Sequence, residues 1–493
     1  MGRLVGMMLG LWLGLGLMST AQAAWFQART KHFIVYSDGK QAQLQDLAGK
    51  LEKFDALLRK ATGTTEPRES GNPMRVYLLP DDGQVKALAH NPNIGGFYRP
   101  SKRFGYAVLS REAKNGPFAV GAQVILFHEY AHHFMLENFP AGYPAWYVEG
   151  FAEFYSVIEF PKDGSIQFGR VPQHRAPALL TMSIFPLADL FARDTEGLSL
   201  RQGDRYYGTA WLVTHFLQYN ERRGAEFRRY LGDLTQGKAD RQVGDYFEGG
   251  LPALEKELRV YMRGRLFNSS YTPQTAIVGT TSLSPVDEAQ GALIEEELRL
   301  MDRMNAEDEQ AVLASVRRKA ARFPASAYAA IVLAEAELAA DNKDAAMAAA
   351  DRATALDPGM ARAHSVRAEV LLERAHDSDK PEDWKAALGA IVRANRADTE
   401  DPVPLAQFYR YHMMKGGKMP EVGYDGLYKA FTLMPQSPDY RFALAGALAH
   451  KQDYATASLL LDPLAYSPHA SDMREAALTM KADLDAKAAA KAQ

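Results

Sequence analysis

The chain contains no cysteine. That excludes disulfide staples, a thiolate metal site, a cysteine nucleophile and a lipid-modified cysteine. A charge excess is also missing. The 57 Lys and Arg nearly balance the 60 Asp and Glu, for a formal net charge of −3. Nothing in that balance argues for nucleic acid as a partner. Long apolar runs are absent but for one. Leu4 to Met18 is apolar, Arg3 precedes it, and Ala21-Gln22-Ala23 puts small residues where a signal peptidase reads. The run falls short of the ~20 residues that span a bilayer. Residues 1–23 are therefore expected to be a secretory signal peptide cleaved after Ala23. The mature protein would be periplasmic or secreted, with no membrane span. Without disulfides, its stability must come from packed cores. With 493 residues, 47% of them hydrophobic, there is material for two to four domains of ~100–200 residues.

Residues 24–265 mix short strands with helices. His32 to Tyr36 and Met74 to Leu79 are expected strands. Gln41 to Lys60 carries Leu44, Leu47, Leu51, Phe54, Leu57 and Leu58 at helical spacing. Gly95 to Tyr98 and Gly105 to Leu109 form an expected hairpin around Pro100-Ser101-Lys102. Long helices are expected over 118–139 and, with Pro at the first turn, over 144–160. A short strand over Ile166 to Phe168 and a helix over Arg205 to Glu221 follow. Residues 266–285 are rich in Ser and Thr and are expected to be a linker.

Residues 286–485 shift to Ala-rich helix. Pro324, Pro358, Pro402, Pro435 and Pro468 recur there at intervals of 34, 44, 33 and 33 residues. A period near 34 is that of the tetratricopeptide repeat, a helix pair that stacks into a solenoid and binds proteins. In the unit ending at Pro358, the small residues Ala334, Ala346 and Ala353 fall where the two helices approach closely. The longer unit carries about ten extra residues near His376 to Glu382, and Pro463 weakens the last unit.

Residues 128–132 read His-Glu-Tyr-Ala-His. On a helix, residues four apart share one face about 6 Å apart along the axis. His128 and His132 can then hold one metal ion, with Glu129 beside them to take a proton from water. A catalytic zinc needs a third protein ligand and an open position. Residues 146–155, Trp-Tyr-Val-Glu-Gly-Phe-Ala-Glu-Phe-Tyr, supply two carboxylates four apart on the next helix. His133 lies about 100° round the helix from His132 and is expected to point away from the metal.

His-Glu-Tyr-Ala-His followed by Glu-Gly-Phe-Ala resembles the gluzincin zinc peptidases. The arrangement is most similar to the peptidase MA-like proteins, many of which carry tetratricopeptide repeats. The resemblance covers most of residues 30–265, with its specific motifs within 128–153. It implies an α+β zincin-like catalytic domain followed by an all-α tetratricopeptide-repeat solenoid. It also implies Zn2+ on His128, His132 and Glu149, with Glu129 as general base. Sixteen residues lie between His132 and Glu149, slightly fewer than in the best-known members, and the loop Asn138 to Tyr143 is short to match. Glu153 is expected to buttress a metal-bound imidazole. Gluzincins commonly place an oxyanion donor on a later helix, which here points to Tyr207, with Tyr206 and His215 behind it. Gly105 to Ser110 is the candidate edge strand for peptide substrate, with a buried central strand as the alternative.

Two other functions fit the same residues. One is a non-catalytic repeat scaffold with a vestigial zinc domain; a general base between the ligands would then serve no purpose. The other is a zinc hydrolase acting on a non-peptide amide, which the motif residues do not distinguish.

Overall fold

The computed structural model describes residues 24–492 apart from 66–71, 93, 113–119, 140, 182, 193–196, 239–242, 274–280, 303–304 and 468–472. The expected signal peptide and Pro468 lie outside the described residues. The chain is mostly helical, with a small mixed sheet. The strands are β1 (Phe26–Arg29), β2 (Phe33–Ser37), β3 (Met74–Leu79), β4 (Gly96–Pro100), β5 (Gly105–Ser110), β6 (Ile166–Phe168), β7 (Ser269–Tyr271) and β8 (Ser282–Pro285). The helices of the first half are α1 (Gln41–Thr62), α2 (Asp82–Ala89), α3 (Ala122–Asn138), α4 (Ala145–Ser156), α5 (Ala176–Thr181), α6 (Leu187–Ala192), α7 (Leu200–Tyr219), α8 (Glu221–Thr235) and α9 (Gly250–Met262).

Six strands form one sheet in the order β4-β5-β3-β2-β1-β8. β2, β3 and β5 run parallel at its centre, and β1, β4 and β8 pair antiparallel with their neighbours. The parallel strands are almost wholly buried because both faces are covered. Alternation sorts their side chains. Phe33, Val35, Met74, Val76, Ala107 and Leu109 face α1 and α3. Ile34, Tyr36, Tyr77, Leu79, Tyr106 and Val108 face the other way, onto Val85 and Leu88 of α2 and onto Ile294 and Leu298. Leu126, Phe127 and Phe134 of α3 are fully buried, each contributing about 1.5–3 kcal/mol of hydrophobic stabilisation.

Two expectations change here. Gly105 to Ser110 (β5) is the buried interior strand of the alternative reading rather than the edge strand, with all six residues buried; the edge on that side of the sheet is β4. Residues 266–285 supply β7 and β8, and β8 pairs with β1 from the other end of the domain. The next helix, α10 (Glu288–Leu300), brings Ile294 and Leu298 onto the sheet.

The second half is helical throughout: α11 (Ala306–Ala320), α12 (Ala327–Ala339), α13 (Lys343–Leu356), α14 (Ala361–Ser378), α15 (Pro381–Ala397), α16 (Pro402–Lys415), α17 (Glu421–Leu433), α18 (Pro438–His450), α19 (Tyr454–Ala465) and α20 (Met473–Ala492). From α12 to α19 the helices stand in four pairs. Each within-pair turn holds a left-handed residue: Asp341, Asp379, Gly416 with Gly417, and Gln452. Recurrence of that turn is the structural counterpart of the proline period. Ala334, Ala346 and Ala353 are fully buried, as close helix approach requires. The extra residues of the long unit do not form a loop. They extend α14 and α15, which run to 18 and 17 residues against 13 and 14 in the preceding pair. Among the described residues no helix is long and apolar enough to cross a membrane.

Candidate metal centre

α3 and α4 pack side by side, so that polar residues of the two helices meet. α4 starts after Pro144, whose extended backbone forms its N-terminal boundary. Its position is set by contact with α7. A Cβ on Gly150 would lie 2.5 Å from the Ala210 carbonyl oxygen and 2.2 Å from Thr214 Oγ1. Only glycine lets the two backbones come so near. The neighbouring Glu149 is thereby carried into the interior, where it is completely buried.

His128 Nε2 and His132 Nε2 stand 3.1 Å apart. Glu149 Oε2 lies 3.3 Å from the first and 3.5 Å from the second. Ligands at about 2.0–2.1 Å from a tetrahedral zinc stand about 3.3–3.4 Å from one another. The three atoms thus form one face of such a tetrahedron at the right size. These three residues form a group that could hold a metal ion.

Glu129 is held from the sheet. Its Oε2 accepts the Tyr98 backbone N–H at 3.2 Å, so edge strand β4 runs directly beside it. One helical turn on, His133 Nδ1 meets the Tyr98 hydroxyl at 2.9 Å. His133 therefore points away from the metal group, as expected, and its burial pushes its pKa down to about 3.

Glu153 stands behind His128. Its Oε1 is 3.8 Å from His128 Nδ1, a charge contact rather than a hydrogen bond. Arg175 donates to Glu153 Oε1 at 2.8 Å and 3.2 Å through Nη2 and Nε, and His174 Nε2 lies 3.3 Å from Oε2. Burial works against ionising Glu153, but the Arg175 charge and the His174 hydrogen bond outweigh it and hold the carboxyl well below the usual range. Burial likewise opposes charge on His128. The hydrogen bond to Glu149 and the charges of Glu153, Glu149 and Glu129 prevail and raise it to about 9. Glu149 and Glu153 flank this imidazole on its two sides, an arrangement that attracts a cation.

The three aromatic candidates on α7 part company. Tyr206 is fully buried, edge-on to Phe185 at 5.7 Å. His215 is fully buried and committed: its Nε2 lies 2.9 Å from the Gly169 and Phe267 carbonyls, and its Nδ1 lies 2.9 Å from the Tyr261 hydroxyl. Both hold the fold. Tyr207 is half-buried with its ring 4.8 Å below Arg175, one residue removed from Glu153. Tyr98, Gly150, His174 and Arg175 were not singled out from the sequence. Only Gly150 carried a signal, as part of Glu-Gly-Phe-Ala; the others reach the site by tertiary contact.

No protein-family model matches the chain, and no curated protein sequence matches it. Among solved structures, one described as "MamA RS-1 ArsTM double mutant" is similar at 16% identity, covering 41% of this chain and 96% of that chain with a TM-score of 0.27. A likeness that slight carries no argument. The repeat reading rests on the helix pairs and their recurring turn.

Proposed function

We propose that this protein is an exported zinc peptidase of the gluzincin type, with a zincin-like catalytic domain and a tetratricopeptide-repeat solenoid that contacts protein. The observation that carries the reading is the convergence of His128, His132 and Glu149 at tetrahedral spacing, with Glu129 between the two imidazoles in sequence. A zinc ion bound there would lend Lewis acidity to the attacking water and to the scissile carbonyl. The chain's residues do the rest. Glu129 accepts the proton of the water and passes it to the leaving amine. Tyr98 N–H orients that carboxylate from strand β4, whose outer edge can take an extended peptide as an added strand. Glu153, gripped by His174 and Arg175, keeps His128 turned so that Nε2 faces Glu149. Tyr207 donates to the oxyanion.

The test is cleavage of casein and of a peptide library by the mature protein, Glu129→Gln and Glu149→Ala, with metal content measured on all three. The reading predicts cleavage by wild type alone, with metal retained in Glu129→Gln and lost in Glu149→Ala. Cleavage by Glu129→Gln at the wild-type rate would contradict it. Metal without peptide cleavage would turn the assignment to a non-peptide amide or to a scaffold. Mass measurement of the exported protein checks cleavage after Ala23.

A further inference from the structure

The tip of the β4–β5 hairpin does not project into solvent. Tyr440 of α18 donates its hydroxyl to the Lys102 carbonyl at 2.7 Å. Arg103 Nε donates to Asp401 Oδ2 at 3.3 Å, and its Nη1 lies 3.6 Å from Glu335. Glu335 sits on α12, Asp401 caps α16 and Tyr440 sits on α18, so the tip touches the first helices of three different pairs. Asp401 and Tyr440 are buried. Just before the tip, Arg99 on β4 pairs with Asp302 at the end of α10. A second contact joins the turn before α4 to the array. A Cβ on Gly142, in the turn that carries the chain from His132 to Glu149, would lie 2.8 Å from Tyr466 and 2.9 Å from Asp462.

We infer that the face of the helical array formed by α12, α16 and α18 is an interaction surface whose occupant is this chain's own hairpin tip, Lys102 to Phe104, and that through it the array sets the position of strand β4 over Glu129. The contacts are complementary: Arg103 meets the carboxylates of Asp401 and of Glu335, the latter shared with Arg362, and the Tyr440 phenol donates to the Lys102 backbone carbonyl. The coupling is physical, because the strand anchored at one end by Arg99 and Arg103 presents the Tyr98 N–H to Glu129 from its middle. A separate protein segment reaching this face must displace the tip, and so loosens β4. By reciprocity, whatever fixes β4 against Glu129 closes that face to partners. The inference uses the position of the metal group but does not depend on peptidase activity.

The experiment is hydrogen exchange on the full mature chain, following the peptide that contains residues 96–100, with α7 as internal reference. Three variants are compared: Arg103→Ala, Tyr440→Phe and Asp401→Asn, the last keeping a residue able to cap α16. The inference predicts exchange over 96–100 roughly tenfold faster in each, with α7 unchanged, as expected of a locally opened segment. Unchanged exchange over 96–100 in folded variants would overturn it. Should Arg103→Ala unfold, Tyr440→Phe decides, since it removes a single hydroxyl. Because activity is not the readout, a failed peptidase assay leaves this result standing.

Discussion

Replacing Gly150 with Ala tests whether the α4–α7 crossing positions Glu149 in the group that could hold a metal ion. A Cβ there would come within 2.5 Å of the Ala210 carbonyl oxygen, where real Cβ atoms essentially never approach below 3.0 Å. Thr214 can turn its side chain aside, but a backbone carbonyl cannot. The helices must therefore separate by about 0.5 Å or more, the order of displacement at which a preorganised site begins to fail. Overpacking of this kind costs about 1–3 kcal/mol. Ala in a helix interior returns about 1 kcal/mol relative to Gly. The net expectation is a destabilisation of about 0–2 kcal/mol, with metal affinity reduced by about tenfold because Glu149 moves with its helix. Gly49→Ala, in α1 with nothing within 4 Å of the added carbon, is the control and should be neutral or stabilising by up to about 1 kcal/mol. The assays are denaturant midpoints read alongside metal titration against a competing chelator. Gly150→Ala matching Gly49→Ala in both would refute the reasoning.

Glu153→Gln should lower metal affinity by about 10–100-fold, as loss of a carboxylate behind a ligand imidazole generally does; unchanged affinity in the chelator titration would show that Arg175 and His174 hold Glu153 for the fold alone. Tyr207→Phe should lower kcat by about 10²–10³-fold with metal content intact, whereas an unaltered kcat would leave Tyr207 only packing against Arg175. A pH effect is expected away from the metal. His32 Nδ1 lies 2.8 Å from Glu52. Burial lowers the His32 pKa, but the hydrogen bond to Glu52 and the nearby Asp55 charge raise it above 6.5 on balance. Burial raises Glu52, but its bonds from His32 lower it below 4.5 on balance. The His32 contribution is complete below pH 6.5 and is lost as pH rises through its folded value; the Glu52 contribution is present above pH 4.5 and is lost as pH falls through its folded value. His32→Gln should thus cost about 1–2 kcal/mol near pH 5.5 and less near pH 8. Equal costs at the two pH values in denaturant titrations would contradict the pairing.

What could be read beforehand was local. Met74–Leu79 and the helices bearing His128 and Glu149 announce themselves because period and motif spacing lie within one element. The proline period located the helix pairs, since Pro324, Pro358, Pro402 and Pro435 each stand at or near a helix start. What could not be read was pairing at long range. β1 and β8 meet across more than 250 residues, and neither four-residue strand has a pattern strong enough to show it. A Ser- and Thr-rich stretch therefore looked like a linker. The interior place of β5 has the same origin: which strand of the hairpin becomes the edge depends on where β3 docks. His174 and Arg175 reach Glu153 from an irregular segment after β6, where no periodicity constrains them. His215 looked like a catalytic candidate by its face on α7. Its two ring nitrogens are instead spent on Gly169, Phe267 and Tyr261, none of which shares an element with it.

The central claim is that His128, His132 and Glu149 hold one zinc ion. X-ray absorption at the zinc edge, on the purified mature protein with metal content determined, tests it most directly. The account predicts about one zinc per chain with four nitrogen or oxygen neighbours at about 2.0–2.2 Å, imidazole scattering among them, and loss of that signal in Glu149→Ala. No bound zinc after incubation with the metal, or zinc retained unchanged in both His132→Ala and Glu149→Ala, would contradict it.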